Sequence, residues 1–199
     1  MVSPSDETLR TYEAEADRYR ANTPPSVPDV QRFLDRLSPL VPGGTILEVG
    51  SGPGWDASYL EANGHVVVRS DGAQAFVDML AAEGHPARLL DIRRDPLGGP
   101  YDAIVANAVL LHLSSDELEA FLVRARDSVP NGYLAFTLKE GDGDAWTSAK
   151  LDRPRHFTYW RVEPLRALLE QTGWSTESVD RVTSDSQPWL MVIARSSDP

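Results

Sequence analysis

Cysteine is absent from the 199-residue sequence, so no disulfide, thiolate nucleophile or cysteine-bound zinc can form within this chain. Also absent is any run that approaches the roughly 18 apolar residues that a membrane-spanning helix needs. Residues 1–4 open no charged-then-apolar signal sequence. We therefore expect no membrane segment, and a cytoplasmic location as the default.

Basic residues are scarce relative to acidic ones, with 19 Lys and Arg against 30 Asp and Glu and a formal net charge of -11. This charge repels polyanions, and no cluster of Lys or Arg interrupts it. We therefore do not expect nucleic acid as a partner, and we expect a small-molecule substrate. The hydrophobic content of 41% is ordinary for a globular protein, and the length fits one core.

What the sequence does contain is a glycine-rich turn between an apolar run and a helical segment. The turn reads Gly50, Ser51, Gly52, Pro53, Gly54. The apolar run at residues 46–49 predicts a buried parallel strand, and residues 55–63 predict a helix. Glycine permits positive φ and leaves room for a ligand against the main chain, and N–H groups at a helix start bind carboxylate, hydroxyl or phosphate groups. A glycine turn without a ligand is the alternative.

The spacing of the glycines separates two ligand classes that use such a turn. Dinucleotide sites have G-x-G-x-x-G/A, whereas this chain has G-x-G-x-G with Trp55 where the third small residue would fall. Glu48, two residues before the first glycine, adds a carboxylate that suits a ligand with an ammonium group. Together with Gly50, Gly52 and Gly54, it resembles the acid-x-G-x-G-x-G motif of class I S-adenosylmethionine-dependent methyltransferases.

The resemblance implies S-adenosyl-L-methionine as cofactor and S-adenosyl-L-homocysteine as product. It matches Asp71 to the acid that binds the ribose hydroxyls, and Asp91 with Ile92 to the adenine position. Asp71 could instead form a turn before Gly72, and Asp91 could be an ordinary loop residue. The cofactor-binding candidates are Glu48, Gly50, Ser51, Gly52, Gly54, Asp71, Gly72, Asp91, Ile92 and Asn107.

The N-terminal segment predicts two helices separated by a proline-rich connector. Residues 5–21 have an amphipathic pattern, and residues 29–37 place apolar side chains on one face that should pack against the sheet. In the family that the glycine motif resembles, an N-terminal helix often covers the cleft. Tyr12 and Tyr19 are therefore substrate-binding candidates, although an aromatic stripe that only packs explains them equally well. We expect residues 1–40 to form a helical cap and residues 41–199 the core domain.

His112 is the first candidate for a catalytic base, and His156 is the second. His112 follows the fourth predicted strand and precedes Ser114, a predicted N-cap with Glu117 at the capping-box position. This places His112 at the carboxyl edge of the sheet, where α/β folds bind ligands. Histidine has an ordinary pKa near neutrality and can deprotonate an oxygen acceptor. The alternative is that His112 lines the cleft or only packs among leucines.

Two further segments supply candidates for binding the acceptor. Lys139 and Glu140 leave the fifth predicted strand at the ligand edge, although a solvated ion pair would explain them as well. Residues 154–161, predicted as a loop, combine aromatic and basic side chains and contribute Arg155, Tyr159 and Trp160. The alternating acids and glycines of residues 140–144 lack the ligand order of a calcium loop, so no metal site is predicted.

Five parallel strands with intervening helices, followed by an antiparallel pair near residues 178–183 and 189–195, predict the fold class. It is a doubly wound, mostly parallel, seven-stranded α/β sheet of the Rossmann-like type, with an antiparallel C-terminal hairpin and an N-terminal helical cap. The resemblance implies methyl transfer to an oxygen or nitrogen of a polar acceptor. A non-catalytic protein that binds the cofactor and a nicotinamide-dependent oxidoreductase are the alternative functions.

Overall fold

Parallel strands dominate the main sheet, with helices on both faces and a small two-stranded sheet beside it. The computed structural model describes residues 3–25, 27–184 and 186–196. The helices are α1 Pro4–Ala21, α2 Pro28–Leu37, α3 Trp55–Ala62, α4 Gln74–Ala82, α5 Ser115–Ser128 and α6 Val162–Gln171. The strands are β1 Thr45–Val49, β2 Val66–Asp71, β3 Ala87–Leu89, β4 Ala103–Ala106, β5 Tyr133–Lys139, β6 Asp144–Thr147, β7 Arg155–Thr158, β8 Trp174–Ser184 and β9 Gln187–Ser196. Short 3-10 helices occupy Ser38–Leu40 and Leu110–His112.

The order of strands in the main sheet is β3-β2-β1-β4-β5-β9-β8. The first five strands are parallel, whereas β9 runs antiparallel to both β5 and β8. The predicted fold class is therefore confirmed, including the antiparallel C-terminal pair. The chain runs outward from β1 to β3 and returns to β4 on the other side of β1. Ligands in such sheets bind at the carboxyl ends of the strands where the order reverses, here β1 and β4.

The two faces of the sheet are both buried, because successive strand residues point to opposite sides. Ile46 packs in a cluster with Leu34 and Leu37 of α2, whereas Leu47 packs in the cluster formed by α5 and α6. Helix α2 therefore packs against the sheet, as predicted. Leu34 and Leu37 are fully buried, and each such leucine contributes about 2 kcal/mol through removal of apolar surface from water.

The predicted capping box at the start of α5 is present. The Ser114 hydroxyl accepts a hydrogen bond from the Glu117 main-chain N–H at 3.2 Å, and a Glu117 carboxylate oxygen accepts one from the Ser114 N–H at 2.9 Å. These bonds satisfy donors that the first helical turn leaves without partners. They also set where α5 begins, immediately after the segment that carries His112.

The region between β5 and α6 differs from the prediction. Residues 154–161 were expected to form a loop, but Arg155–Thr158 is β7, which pairs antiparallel with β6 in the second sheet. The Phe and Thr side chains of β7 favour extended backbone, and the glycines at 141 and 143 provide the bends that bring β6 to it. Trp174 begins β8 and donates from its indole N–H to the Leu122 carbonyl at 3.0 Å.

Candidate functional site

A cavity of about 120 Å³ lies at the carboxyl ends of β1, β2 and β4, beneath α1. It occupies the position that the reversal of strand order predicts. The predicted site residues that line it are Tyr12, Tyr19, Gly50, Gly52, Asp71, Gly72, Asp91, Ile92, Asn107 and His112. The fold therefore brings together residues from α1, the glycine turn and four strand ends.

The glycine turn requires glycine for geometric reasons. Gly50, Gly52 and Gly54 have φ values of +66°, +51° and +81°, in the left-handed region. A Cβ on Gly50 would lie 2.4 Å from Cγ2 of Val109, and one on Gly54 would lie 2.6 Å from Cδ2 of Leu80. At both positions a side chain would require Val109 or Leu80 to move and would strain a left-handed backbone. Glycine is therefore strongly favoured at both positions, and the main chain of the turn is kept bare.

Ser51 and Gly54 support the turn from outside the cavity lining. The Ser51 N–H donates to the Ser70 carbonyl at 2.8 Å, and its hydroxyl accepts from the Ser70 N–H at 3.2 Å. The Gly54 N–H donates to the Ser51 carbonyl at 2.8 Å, and Gly54 precedes α3. These bonds tie the turn to β2, so both residues shape the site without facing it.

Asp71, the last residue of β2, is hydrogen-bonded to the glycine turn. One carboxylate oxygen accepts from the Gly52 N–H and the other from the Ala73 N–H, each at 2.9 Å. Burial raises the pKa of Asp71 to about 6, although the main-chain hydrogen bonds favour the charged form. The carboxyl group also lines the cavity. Asp71 thus fixes the position of the Gly52 main chain and presents an acceptor to any ligand in the cavity.

Beneath the turn, the buried carboxyl group of Glu48 has the half-buried carboxyl group of Asp56 as a neighbour. Glu48 is 3% exposed, and its Oε2 has no hydrogen-bond partner within the part of the chain that the structure describes. Burial, with the neighbouring Asp56 as second cause, raises the pKa of Glu48 to about 8. Burial also raises the pKa of Asp56, whose carboxylate accepts from the Asn107 amide at 2.8 Å. A cationic group above the turn would favour ionisation of this pair.

Asp91 is engaged by an arginine that the sequence reasoning missed. Its carboxylate accepts two hydrogen bonds from the Arg93 guanidinium, from Nε at 2.8 Å and from Nη2 at 2.7 Å. Burial would raise the pKa of Asp91, but the hydrogen bonds from Arg93 outweigh it and the pKa is lowered. Arg93 also lies 2.8 Å from the Asp6 carboxylate of α1. The Asp91 carboxylate is therefore committed to this network, while Ile92 beside it presents an apolar surface to the cavity.

Helix α1 forms the roof of the cavity. An ideal Cβ on Gly72 would lie 3.1 Å from Cδ1 of Leu9, and one on Gly52 would lie 3.8 Å from the Tyr19 ring. The centroid of the Tyr12 ring is 5.5 Å from that of Tyr19. The roof therefore rests directly on the glycine positions and shields them from water.

Hydroxyl groups of α1 fasten this roof, and the sequence reasoning did not single them out. The Ser5 hydroxyl lies 2.9 Å from the His112 carbonyl and 2.5 Å from the Glu117 carboxylate. The Thr8 hydroxyl accepts from the His156 N–H at 2.9 Å, and the Thr11 hydroxyl donates to the Pro154 carbonyl at 2.7 Å. These polar contacts add to the apolar packing of Leu9, Tyr12 and Tyr19 against Phe76 of α4, so α1 is held over the cavity by both kinds of contact.

His112 stands between the roof and the second sheet. Its Nδ1 lies 2.7 Å from the main-chain carbonyl of His156, and since a carbonyl only accepts, Nδ1 carries the proton. Its Nε2 is then an acceptor, and the Tyr12 hydroxyl donates to it at 2.9 Å. Burial, followed by the cationic charges of Arg155 and Lys139, lowers the pKa of His112 to about 3. The imidazole is therefore neutral at physiological pH.

The remaining predicted residues lie outside the cavity lining. The His156 imidazole contacts the Asp144 carboxylate at 2.9 Å and lies against Trp146, so its place in the site is through its main-chain carbonyl. Glu140 accepts from the Arg181 guanidinium at 2.9 Å, on the exposed side of the molecule. The catalytic role of His156 and the substrate role of Glu140 remain predictions that this geometry does not support.

Four predicted acceptor-binding residues stand next to the cavity without lining it. Arg155 donates to the Tyr12 hydroxyl at 3.2 Å, and the Lys139 ammonium lies 3.9 Å from the centroid of the Phe157 ring. Tyr159 and Trp160 pack against the core cluster beside α6, and the Trp160 indole N–H has no partner among the described residues. Arg155 and Lys139 are thus the closest to His112.

A family model described as a methyltransferase domain matches residues 18–179. Among solved structures, the CcbJ methyltransferase from Streptomyces caelestis is 18% identical, with 96% of this chain and 99% of that chain covered and a TM-score of 0.78. The DhpI–SAH complex is 24% identical, with 98% of each chain covered and a TM-score of 0.77. Magnesium protoporphyrin IX methyltransferase from Synechocystis PCC 6803, with bound SAM, is 17% identical, with 99% of each chain covered and a TM-score of 0.76. No curated protein sequence matches this one significantly.

Proposed function

Because the chain belongs to the methyltransferase domain family, we propose that it is an enzyme that transfers a methyl group from S-adenosyl-L-methionine to a polar small molecule. The observation that carries the proposal is the bare glycine turn, held by Asp71 and opening into a roofed cavity at the reversal of strand order. The similar structures of magnesium protoporphyrin IX methyltransferase and DhpI contain SAM and SAH, respectively. S-adenosyl-L-homocysteine is the corresponding product.

The residues present fit such a cofactor. Gly50 and Gly52 line the cavity without side chains, and the buried Glu48 beneath the turn has an oxygen without a partner among the described residues. In the proposal, the turn and Glu48 hold the methionine moiety and Asp71 holds the ribose. When bound, the cofactor supplies a methyl group on a sulfonium, already activated for displacement. The protein then needs to align the acceptor and exclude water, and alignment contributes on the order of 7 kcal/mol or more.

The adenine end of the proposed site is more restricted than the sequence suggested. The Asp91 carboxylate already accepts three hydrogen bonds from Arg93, two from the guanidinium and one from the main-chain N–H at 3.0 Å. A carboxylate has about four lone-pair sites, so Asp91 retains capacity for one amino group. We therefore keep Asp91 and Ile92 in the cofactor site, with Arg93 as the residue that orients Asp91.

On the acceptor side, we propose that His112 positions the acceptor rather than serving as a strong base. With a pKa of about 3, its Nε2 accepts a hydrogen bond but holds a proton poorly at neutral pH. An acceptor hydroxyl or amine that displaces the Tyr12 hydroxyl would donate to this nitrogen. The lone pair of the acceptor would then be oriented by an imidazole whose tautomer is fixed by the His156 carbonyl.

The proposal retains the division of the chain into a cap of residues 1–40 and a core of residues 41–199, with one refinement. Helix α1 covers the cavity, whereas α2 belongs to the packing of the sheet. No helix of the described residues is long and apolar enough to span a membrane. A small molecule is the preferred acceptor because the cavity is roofed and the net charge of -11 disfavours nucleic acid. A cytoplasmic location remains a prediction.

The test is a binding measurement followed by a turnover measurement. We expect calorimetry to show binding of S-adenosyl-L-homocysteine to the purified protein and no comparable binding of NAD. An acceptor screen that detects formation of S-adenosyl-L-homocysteine then tests catalysis. Absence of cofactor binding would refute the proposal. Binding without turnover on any acceptor would instead support a non-catalytic regulatory protein.

A further inference from the structure

Arg155 is a buried cation without an acidic partner. It is 6% exposed, and its guanidinium donates to the Tyr12 hydroxyl at 3.2 Å and to the Ala149 carbonyl at 2.6 Å. Its Nε–H has no hydrogen-bond partner, and no ion pair between described residues includes it. Buried arginines are ordinarily paired with an anion, because an isolated charge is costly to remove from water. The Nε–H of Arg155 is therefore a donor without an acceptor, and the positive charge of the guanidinium is not neutralised by an ion pair among the described residues.

Lys139 places a second cation next to the first. Its ammonium lies 3.9 Å from the centroid of the Phe157 ring, and the Arg155 guanidinium carbon lies 5.3 Å from the same centroid. Burial, with Arg155 as second cause, lowers the pKa of Lys139, so the two cations repel each other. No carboxylate within the described ranges forms an ion pair with Lys139. In a chain with a net charge of -11, two neighbouring cations without an anion are unusual.

Both cations stand at the end of the cavity where the acceptor is proposed to bind. The Phe157 ring that they share lies 4.7 Å from the His112 ring. Arg155 contacts the hydroxyl of Tyr12, and both Tyr12 and His112 line the cavity. An anion that exchanged for the Tyr12 hydroxyl would meet Arg155 directly, and the Lys139 ammonium lies on the Phe157 ring that adjoins Arg155.

We propose that the methyl acceptor carries an oxyanion, a carboxylate or a phosphate, which Arg155 and Lys139 bind beside Tyr12 and His112. This inference rests on the proposed function, since it names the substrate class of the same site. The guanidinium presents planar donors that match the oxygens of either group, and such charge-assisted hydrogen bonds are stronger than neutral ones. The oxyanion anchors the acceptor and lets the rest of the molecule reach toward the glycine turn.

The experiment uses the full chain saturated with S-adenosyl-L-homocysteine and three probes of similar size: benzoate, phenyl phosphate and the neutral benzamide. Calorimetry is expected to show binding of at least one anion and at least about tenfold weaker binding of benzamide. Arg155→Gln is expected to weaken anion binding by about tenfold or more. The matched control is Arg153→Gln, because Arg153 lies on the same segment but is exposed and paired with Glu15. This control should bind the anion as the parent does.

Two results would overturn the inference: equal anion affinity in the parent and in Arg155→Gln, or equal affinity for benzoate, phenyl phosphate and benzamide. If Arg155→Gln does not fold, Lys139→Gln replaces it, and an unchanged anion affinity in that variant has the same meaning. Binding of S-adenosyl-L-homocysteine is measured first in every variant. Its absence in the parent would refute the proposed function, whereas its presence without cation-dependent anion binding would refute only the acceptor class.

Discussion

Replacing Glu48 with glutamine tests whether a buried carboxyl group beneath the glycine turn destabilises the protein at alkaline pH. The pKa of Glu48 is about 8 in the folded protein against an ordinary value of 4.5. The folded state therefore binds a proton that the unfolded chain has already released. The free energy of unfolding falls as pH rises through this window, and the loss is complete above the folded-state pKa.

The magnitude follows from the two pKa values. Integration from about pH 5.5 to about pH 8.5 gives a loss of about 3 kcal/mol from this group alone. Glutamine has nearly the same shape as glutamate and remains neutral at every pH. Its amide N–H2 can take the place of the Glu48 oxygen that has no partner and can donate toward Asp56. We therefore expect Glu48→Gln to exceed the parent in stability by about 3 kcal/mol more at the higher pH than at the lower.

Urea denaturation of the cofactor-free protein at both pH values measures this difference. Contributions from titrating groups that do not interact with Glu48 are common to both proteins and cancel. Glu170→Gln is the control, because Glu170 is an exposed carboxylate of α6, and its difference from the parent should not depend on pH. A difference between Glu48→Gln and the parent that is the same at both pH values would refute the reasoning, since it would mean that Glu48 titrates alike in the folded and unfolded chains.

Four further predictions concern the cavity. Asp71→Asn should weaken binding of S-adenosyl-L-homocysteine by about 10- to 100-fold in calorimetry, since one amide oxygen cannot replace both carboxylate oxygens; equal affinity would contradict the assignment. Gly50→Ala should abolish this binding, because its Cβ would meet Val109 at 2.4 Å; retained affinity would show that the turn can adjust. His112→Ala should lower turnover at least about tenfold and spare cofactor affinity, and unchanged turnover would remove its role. In the parent, the pKa of about 3 predicts a pH–rate profile without a His112 ionisation between about pH 6 and 8, and an inflection there that disappears in His112→Ala would contradict it.

The sequence predicted the parts of the site that local chain geometry determines. The strand, glycine turn and helix around Gly50 are confirmed because positive φ and a short apolar run are properties of consecutive residues. Glu48 lies beneath the turn and Asp71 beside it for the same reason, since each ends or nearly ends a strand whose direction the fold class fixes. His112 also lies at the expected edge of the sheet. Their chemical roles remain predictions.

The parts that the sequence could not predict depend on contacts between distant segments. Thr8 meets the main chain of His156, and Ser5 meets Glu117, across more than a hundred residues. Hydroxyl side chains are common on helix surfaces, so nothing in the local pattern distinguishes these. Arg93 likewise becomes important only because α1 brings Asp6 to it. A basic residue after a strand gives no such signal by itself.

The pairing of β6 with β7 was missed for a related reason. Short strands owe their stability to cross-strand partners rather than to their own propensity, and residues 144–147 are acidic at the start and followed by an irregular segment. In β6 the large apolar side chain of Trp146 is exposed, and the polar side chain of Thr147 is half-buried. The sequence therefore lacks the alternation of apolar and polar residues that would have revealed a strand.

The bonds from Thr8 and Thr11 to the segment around β7 join two stretches that are 148 and 143 residues apart in the chain. Helix α1 and the two-stranded sheet are consequently fitted to each other, while Phe157 of β7 packs in the main core and Tyr12 of α1 packs against Phe76 of α4. Any attempt to redirect the enzyme toward a new acceptor should transplant both stretches together. A graft of only one stretch would leave the hydroxyls of Thr8 and Thr11 without their main-chain partners. It would weaken the packing of the roof before it changed the selectivity for the acceptor.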